Sequence, residues 1–208
     1  MGNDLNHYMK RLKELWKRFW HFFWEEDTLL SWAVNIVVAF ILIKWVIYPG
    51  LGLILSTDYP IVAVVSNSME HDGLDYDQWW SRSGSWYESH NISKEEFESF
   101  DFRNGFNKGD MMVLQGVDDV EAGDVVVFWG GKKEPIIHRV VKRWVPNGQL
   151  HFMTKGDHNA KPIESFNGID ETDITKDDLV GKAFFRVPYL GYIKILFVDL
   201  LRFMNIVN

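Results

Sequence analysis

Residues 125–141 read VVVFWGGKKEPIIHRVV, two short runs of Val, Ile and Phe on either side of a Gly-rich break. β-Branched and aromatic side chains suit a pleated, half-buried surface, and glycine punctuates it, so both runs read as β-strands. The same rhythm recurs outward from them at 61–65 (IVAVV), 111–114 (MMVL), 150–153 (LHFM) and 179–185 (LVGKAFF), separated by Gly and Asp turns. Everything after residue 55 is therefore expected to be mainly β, built on an antiparallel sheet.

Before residue 55 the pattern is different. Residues 29–47 (LLSWAVNIVVAFILIKWVI) are interrupted only by Ser31, Asn35 and Lys44, close to the ~20 apolar residues a helix needs to cross a bilayer. Trp32 at one end, and Trp45 and Tyr48 at the other, fit the aromatic belts of a membrane interface. Pro49 and Gly50 are expected to end or bend this helix. Lys10, Arg11, Lys13, Lys17 and Arg18 precede it, and after Lys44 the next basic residue is Arg82. That asymmetry predicts a cytoplasmic N-terminus with the β domain outside. In the first segment Leu5, Met9, Leu12, Trp16, Phe19 and Phe23 recur at helical spacing, as do Ile193, Leu196, Phe197, Leu200, Leu201 and Met204 near the other end. Both stretches read as amphipathic helices suited to a membrane surface.

Composition narrows the chemistry. The 208-residue chain has no Cys, which removes disulfides, thiolate nucleophiles and Cys-based zinc sites. A net charge of -7, from 22 Lys and Arg against 29 Asp and Glu, argues against nucleic acid as a partner, because backbone phosphates are held by clustered basic residues. Nearly all of that charge sits in residues 70–110, which hold ten carboxylates and four basic side chains. The same segment interrupts the strand rhythm and carries Tyr76, Trp79, Trp80, Trp86, Tyr87 and the glycosylation sequon Asn91-Ile92-Ser93. It reads as an insertion, either a cap whose aromatics touch membrane or substrate, or a small satellite core.

With thiols absent, Ser68 is the leading nucleophile, because it closely follows the apolar run 61–65 in Ser66-Asn67-Ser68-Met69. A serine needs a base to take its proton. His138 lies inside an apolar strand, where a titratable ring is costly to bury without a purpose. Asp157, in Thr154-Lys155-Gly156-Asp157, follows another strand and is expected to orient the imidazole from a tight turn.

These elements stand in a particular order: Ser66-Asn67-Ser68-Met69, Gly109-Asp110-Met111-Met112-Val113, Gly123-Asp124-Val125-Val126-Val127-Phe128, Ile136-Ile137-His138-Arg139-Val140-Val141, Thr154-Lys155-Gly156-Asp157, and Leu179-Val180-Gly181-Lys182 through Gly191. In that order the chain resembles type I signal peptidases, and within them the archaeal and endoplasmic-reticulum (Sec11-like) branch, in which His replaces a lysine base. The resemblance spans about residues 30–195, with the insertion unmatched. It implies a barrel-like antiparallel catalytic sheet and a membrane-anchored serine endopeptidase that removes signal peptides from exported preproteins. It also implies Ser68 as nucleophile, His138 as general base, Asp157 as its acidic partner and Ser66 as an oxyanion-hole donor. No cofactor or metal is implied. The partners it implies are signal peptides, the bilayer and the protein-export channel, with no nucleic acid among them, at a cell membrane or, in a eukaryote, that of the endoplasmic reticulum.

The domain organisation that follows is a cytoplasmic amphipathic segment at 1–28 and a single membrane anchor at 29–55. A peptidase domain covers 56–190, with its insertion at 70–108, and an interfacial helix covers 191–208. Two positions depart from the family. A second acidic residue commonly stands six places after the first, where this chain has Ile163, and Glu164 next to it is the candidate substitute. The proline that commonly follows the Ser-Met pair is replaced by Glu70-His71-Asp72-Gly73, which opens the insertion. Two other functions fit parts of the pattern: a self-cleaving repressor-type domain, which lacks its Lys base and basic DNA-binding segment here, and a non-catalytic anchored β domain presenting the Trp-rich insertion to a partner.

Overall fold

The computed structural model describes residues 2–131, 135–166 and 168–204, with side chains from residue 7 onward, so the position of the Leu5 side chain and of residues 205–208 lies outside the described residues. The chain divides into two compact units, residues 1–51 and 52–208.

The first unit is helical. Helix α1 (Gly2–Trp24) carries a run of neighbouring rings in which Trp16 stacks on Trp20 at 6.2 Å and Phe19 on Phe23 at 5.7 Å. Helix α2 (Leu29–Leu42) starts at Thr28, whose hydroxyl accepts from the Ser31 N–H at 3.1 Å while the Ser31 hydroxyl accepts from the Thr28 N–H at 3.3 Å. This reciprocal pair satisfies donors that a helix start would otherwise orphan. Asn35 Nδ2 donates to the Phe23 carbonyl and ties α2 to the end of α1. The helix does not stop at Pro49. It passes through a π-helical turn, Ile43–Ile47, into α3 (Tyr48–Leu55). A proline lacks an N–H and crowds the carbonyl four residues before it, and widening the preceding turn relieves both problems. The resulting helical run Leu29–Leu55, 27 residues in all, is long and apolar enough to cross a membrane.

The second unit is a seven-stranded antiparallel sheet curled into a half-barrel, in the order β1-β2-β7-β3-β4-β5-β6. Its strands are β1 (Ile61–Ala63), β2 (Met111–Gln115), β3 (Val125–Phe128), β4 (Ile136–Trp144), β5 (His151–Lys155), β6 (Ile174–Thr175) and β7 (Leu179–Val187). The runs at 125–128 and 136–141 are neighbours, β3 and β4, with His138 opposite Val126. The short β6 carries no run of its own that could have announced it. One core cluster forms around Val64, Met69, Met112, Leu114 and Val127, and another around Val126, Phe128, Val140 and Phe152.

The insertion folds as two helices, α4 (Tyr76–Glu88) and α5 (Lys94–Glu98). Asp75 caps α4, its carboxylate accepting from the Gln78 N–H at 2.8 Å. The aromatics do not form an exposed cap. Trp79, Trp80, Tyr87 and Phe97 are buried together with Val141 of β4, which makes the insertion a satellite core of the sheet. Val141 reaches that cluster because the β4–β5 register slips between Val140 and Lys142, and such a bulge re-aims the extra side chain. Helix α6 (Gly191–Phe203) starts against the Gly109-Asp110 turn, where a Cβ on Gly109 would lie 2.0 Å from the Tyr192 ring. Its Ile193, Leu196, Phe197 and Leu200 face outward.

Phe97 is fully buried and lies 4.7 Å below the Arg139 guanidinium carbon. Phe97→Ala is expected to destabilise the 52–208 unit by about 3–5 kcal/mol, read from denaturant unfolding in detergent. An unchanged midpoint would mean that the insertion is not part of the cooperative core.

Candidate active site

Ser68 sits on a short loop held at both ends. On the strand side, Val64 is buried and exchanges backbone hydrogen bonds with the 109–110 turn, its N–H donating to the Asp110 carbonyl and its carbonyl accepting from Gly109, each at 2.9 Å. On the other side Met69 is buried, and its carbonyl accepts from the Phe106 N–H at 3.0 Å. Between these plugs the chain has little room to shift. The hydroxyls of Ser66 and Ser68 lie side by side, 3.1 Å apart.

The turn after β5 closes on this loop. The His158 N–H donates to the Ser68 carbonyl at 2.9 Å. A Cβ built on Gly156 would stand 2.7 Å from the Ser68 carbonyl oxygen and 2.8 Å from His138 Nε2. Only a residue without a side chain fits there, and the same contacts place the Ser68 backbone carbonyl and the outer nitrogen of His138 both beside Gly156. A groove of about 420 Å³ borders this turn, lined by His158 and Asn159 on one side and by Asp72, Arg82 and Trp86 on the other. Among the described residues, no three His, Asp or Glu side chains converge as a metal ion would require.

His138 is 3% exposed, and its inner nitrogen Nδ1 is hydrogen-bonded to Glu171. A carboxylate on Nδ1 selects the tautomer with its proton there and leaves a lone pair on Nε2, the nitrogen beside Gly156. Glu171 is fully buried and firmly held: Oε1 accepts from the Thr154 hydroxyl at 3.0 Å, and Oε2 from the Ile163 N–H at 2.8 Å. The Glu171 N–H in turn donates to the Ile163 carbonyl. The position at which the family carries its second acid is therefore filled by backbone that grips an acid eight residues later.

Asp157 does not take the orienting position expected of it. Its carboxylate turns to the opposite side of β4 and pairs with Arg139, Oδ1 accepting from Nε at 3.0 Å and Oδ2 from Nη2 at 2.8 Å. Tyr87 from α4 donates its hydroxyl to Oδ1 at 2.9 Å, and His71 Nε2 donates to Oδ2 at 3.2 Å while its ring stacks on Trp79 at 3.8 Å. Glu164 is not a substitute either, because it is exposed and pairs with Lys161 at 3.1 Å. The reason is geometric: His138 and Arg139 are consecutive in a strand and project to opposite faces, so one carboxylate cannot serve both. Sequence reading missed Glu171, which no fixed spacing announces. It also passed over Arg139, although a charge between Ile137 and Val140 in an apolar run demands a buried partner.

Burial alone would raise the Asp157 carboxyl, but the Arg139 guanidinium and the hydrogen bonds from His71 and Arg139 outweigh it and hold it well below the usual carboxylate range. A depressed carboxylate adds stability above its unfolded value and loses it as pH falls toward the folded one. Stability is therefore expected to drop on acidification between about pH 5 and about pH 2. Asp157→Asn should flatten that slope and, by leaving Arg139 unpaired, cost about 3 kcal/mol at neutral pH. Chemical denaturation of both proteins across that range checks this, and identical slopes would refute it.

No family model matches the chain. Among curated proteins it is similar to the signal peptidase complex catalytic subunit SEC11 of Colletotrichum graminicola, 27% identical over 172 residues that cover 81% of this chain and 78% of the relative. The subunit of the same name from Pyricularia oryzae is 26% identical over the same coverage. The human signal peptidase complex catalytic subunit SEC11C is 29% identical over 161 residues, 76% of this chain and 67% of the relative. With the strand order and the loop carrying Ser68 already in place, these likenesses make the chain a relative of the Sec11-like type I signal peptidases.

Proposed function

We propose that this protein is a membrane-bound serine endopeptidase that cleaves signal peptides from exported preproteins, with Ser68 as nucleophile and His138 as general base. The observation that carries the reading is the approach of both the Ser68 carbonyl and His138 Nε2 to Gly156, with Glu171 on the far nitrogen of the same ring. The Sec11-named relatives support it independently of that geometry.

In this mechanism Ser68 Oγ bonds to the scissile carbonyl carbon as its proton passes to His138 Nε2. Glu171 stabilises the imidazolium that results and keeps the ring aligned, the role an acid plays in other serine hydrolases. Charge that develops on the carbonyl oxygen is met by the Ser68 N–H and the Ser66 hydroxyl. The C–N bond then breaks as the proton moves from His138 to the leaving amine. Water repeats the sequence on the acyl ester and returns the proton to Ser68. Asp157 acts at one remove, by holding the turn that carries Gly156 and His158.

The apolar run Leu29–Leu55 anchors the enzyme, and the basic residues ahead of it favour a cytoplasmic N-terminus with the catalytic unit on the other side. An extended segment of the preprotein, docked by backbone hydrogen bonds along a strand edge, suits a site on a sheet. Small side chains before the cut and an association with the export channel belong to the same reading.

The test is cleavage of a signal-peptide-bearing preprotein by the detergent-solubilised protein. Ser68→Ala and His138→Ala are each expected to abolish processing while the thermal unfolding of the β unit is retained. Glu171→Gln, which removes the carboxylate from Nδ1, should lower kcat by about 10³–10⁴, whereas Glu164→Gln should leave it near normal. Normal processing by Ser68→Ala would end the proposal, and an active Glu171→Gln would remove only the orienting role.

A further inference from the structure

A buried amine next to this site has no part in the mechanism above. Lys155 ends β5 and is 1% exposed. Its Nζ donates to the Gly156 carbonyl at 3.0 Å, to the Tyr87 hydroxyl at 3.3 Å and to the Asp157 carbonyl at 3.5 Å. It lies 4.6 Å from the Tyr87 ring centre and 5.3 Å from that of Trp86. Both rings belong to α4, so the insertion supplies one wall of the cage and the turn supplies the other.

We propose that Lys155 is a positioning residue for Ser68 and His138: its ammonium, clamped by α4, fixes the 156–158 turn on which both rest. The proposal depends on the Ser68/His138 reading. The two carbonyls that Nζ holds belong to Gly156, whose Cα faces the Ser68 carbonyl and His138 Nε2, and to Asp157, whose successor His158 donates to that same Ser68 carbonyl. An ammonium offers three donors and engages the faces of two aromatic rings. The neutral amine keeps two donors and loses the cation–π attraction.

The charged and titratable groups around Nζ come from every element packed there. They are Tyr87 from α4, Arg139 from β4, Asp157 from its own turn and Glu171 from the loop before β6, while His71 reaches Asp157 from the Ser68 loop. Burial pushes the Lys155 amine down to about 8, with Arg139 acting the same way and Asp157 and Glu171 opposing it. A Ser/His pair whose base must be neutral gives a rate that rises with pH and then holds level, so a fall near pH 8 requires another group. The sign for stability is opposite. The folded amine releases its proton at lower pH than the unfolded one, so between about pH 8 and about pH 10 the fold gains stability as pH rises. Loss of rate without loss of fold separates positioning from unfolding.

The experiment measures kcat, KM and Tm across this range with a signal-peptide-bearing preprotein and the full-length protein in detergent. Wild type should lose about tenfold in kcat above pH 8 with KM unchanged and Tm level or rising. Lys155→Met should have a kcat about tenfold below the wild-type plateau, with no alkaline fall. Trp86→Leu, which leaves the turn and the reacting groups intact, should move the fall to lower pH by about half a unit. An alkaline fall that persists in folded Lys155→Met overturns the proposal. So does an unmoved fall in Trp86→Leu, which serves if Lys155→Met does not fold. A wild type that cleaves nothing at any pH overturns the functional reading, and this proposal with it.

Discussion

The rest of the catalytic unit depends on the buried pair between Arg139 and Asp157. All five N–H donors of Arg139 are used, two on the Asp157 carboxylate and three on the carbonyls of Asp101, Phe102 and Gly123. A guanidinium is costly to bury, and the cost is offset only when every donor finds an acceptor. Here those acceptors come from three parts of the chain: the turn after β5, the consecutive residues Asp101 and Phe102 of the insertion, and the turn before β3. Satisfying one side chain therefore forces three segments to converge on β4, next to the histidine proposed to be the base.

The insertion is best understood from this pair. Its helices of 13 and 5 residues do not build a separate module, because their aromatic side chains bury against Arg139, Val141 and Met153 of the sheet. Tyr87 completes the shell of Asp157 and walls Lys155, and His71, three residues past Ser68, reaches the same carboxylate. The insertion, which the sequence left open between an aromatic cap and a satellite core, turns Trp79 and Trp80 inward behind the site. Electrostatic interactions there gain strength from the exclusion of water, and unpaired groups become correspondingly costly.

The division between the two acids follows from the same constraint. Alternation along β4 sends His138 and Arg139 to opposite faces, so the site needs a carboxylate on each. Asp157 is close in sequence and answers Arg139. Glu171 arrives from a loop that its own backbone pairs with Ile163, and answers His138.

Much of this protein was legible in the residues themselves. Local rules suffice for the apolar run 29–47, the β-rich stretches and the amphipathic ends, because hydropathy and side-chain alternation act over a few neighbours. The order of the motifs around Ser68 and His138 was enough to suggest the family. Contacts between distant segments could not be read this way. Whether Asp157, Glu164 or Glu171 faces His138 depends on which loops fold back and by how much, and whether the tryptophans of the insertion point out or in depends on a bulge at Val141. Those choices are settled by the demand that every buried charge find its partners, which only the assembled tertiary structure can meet.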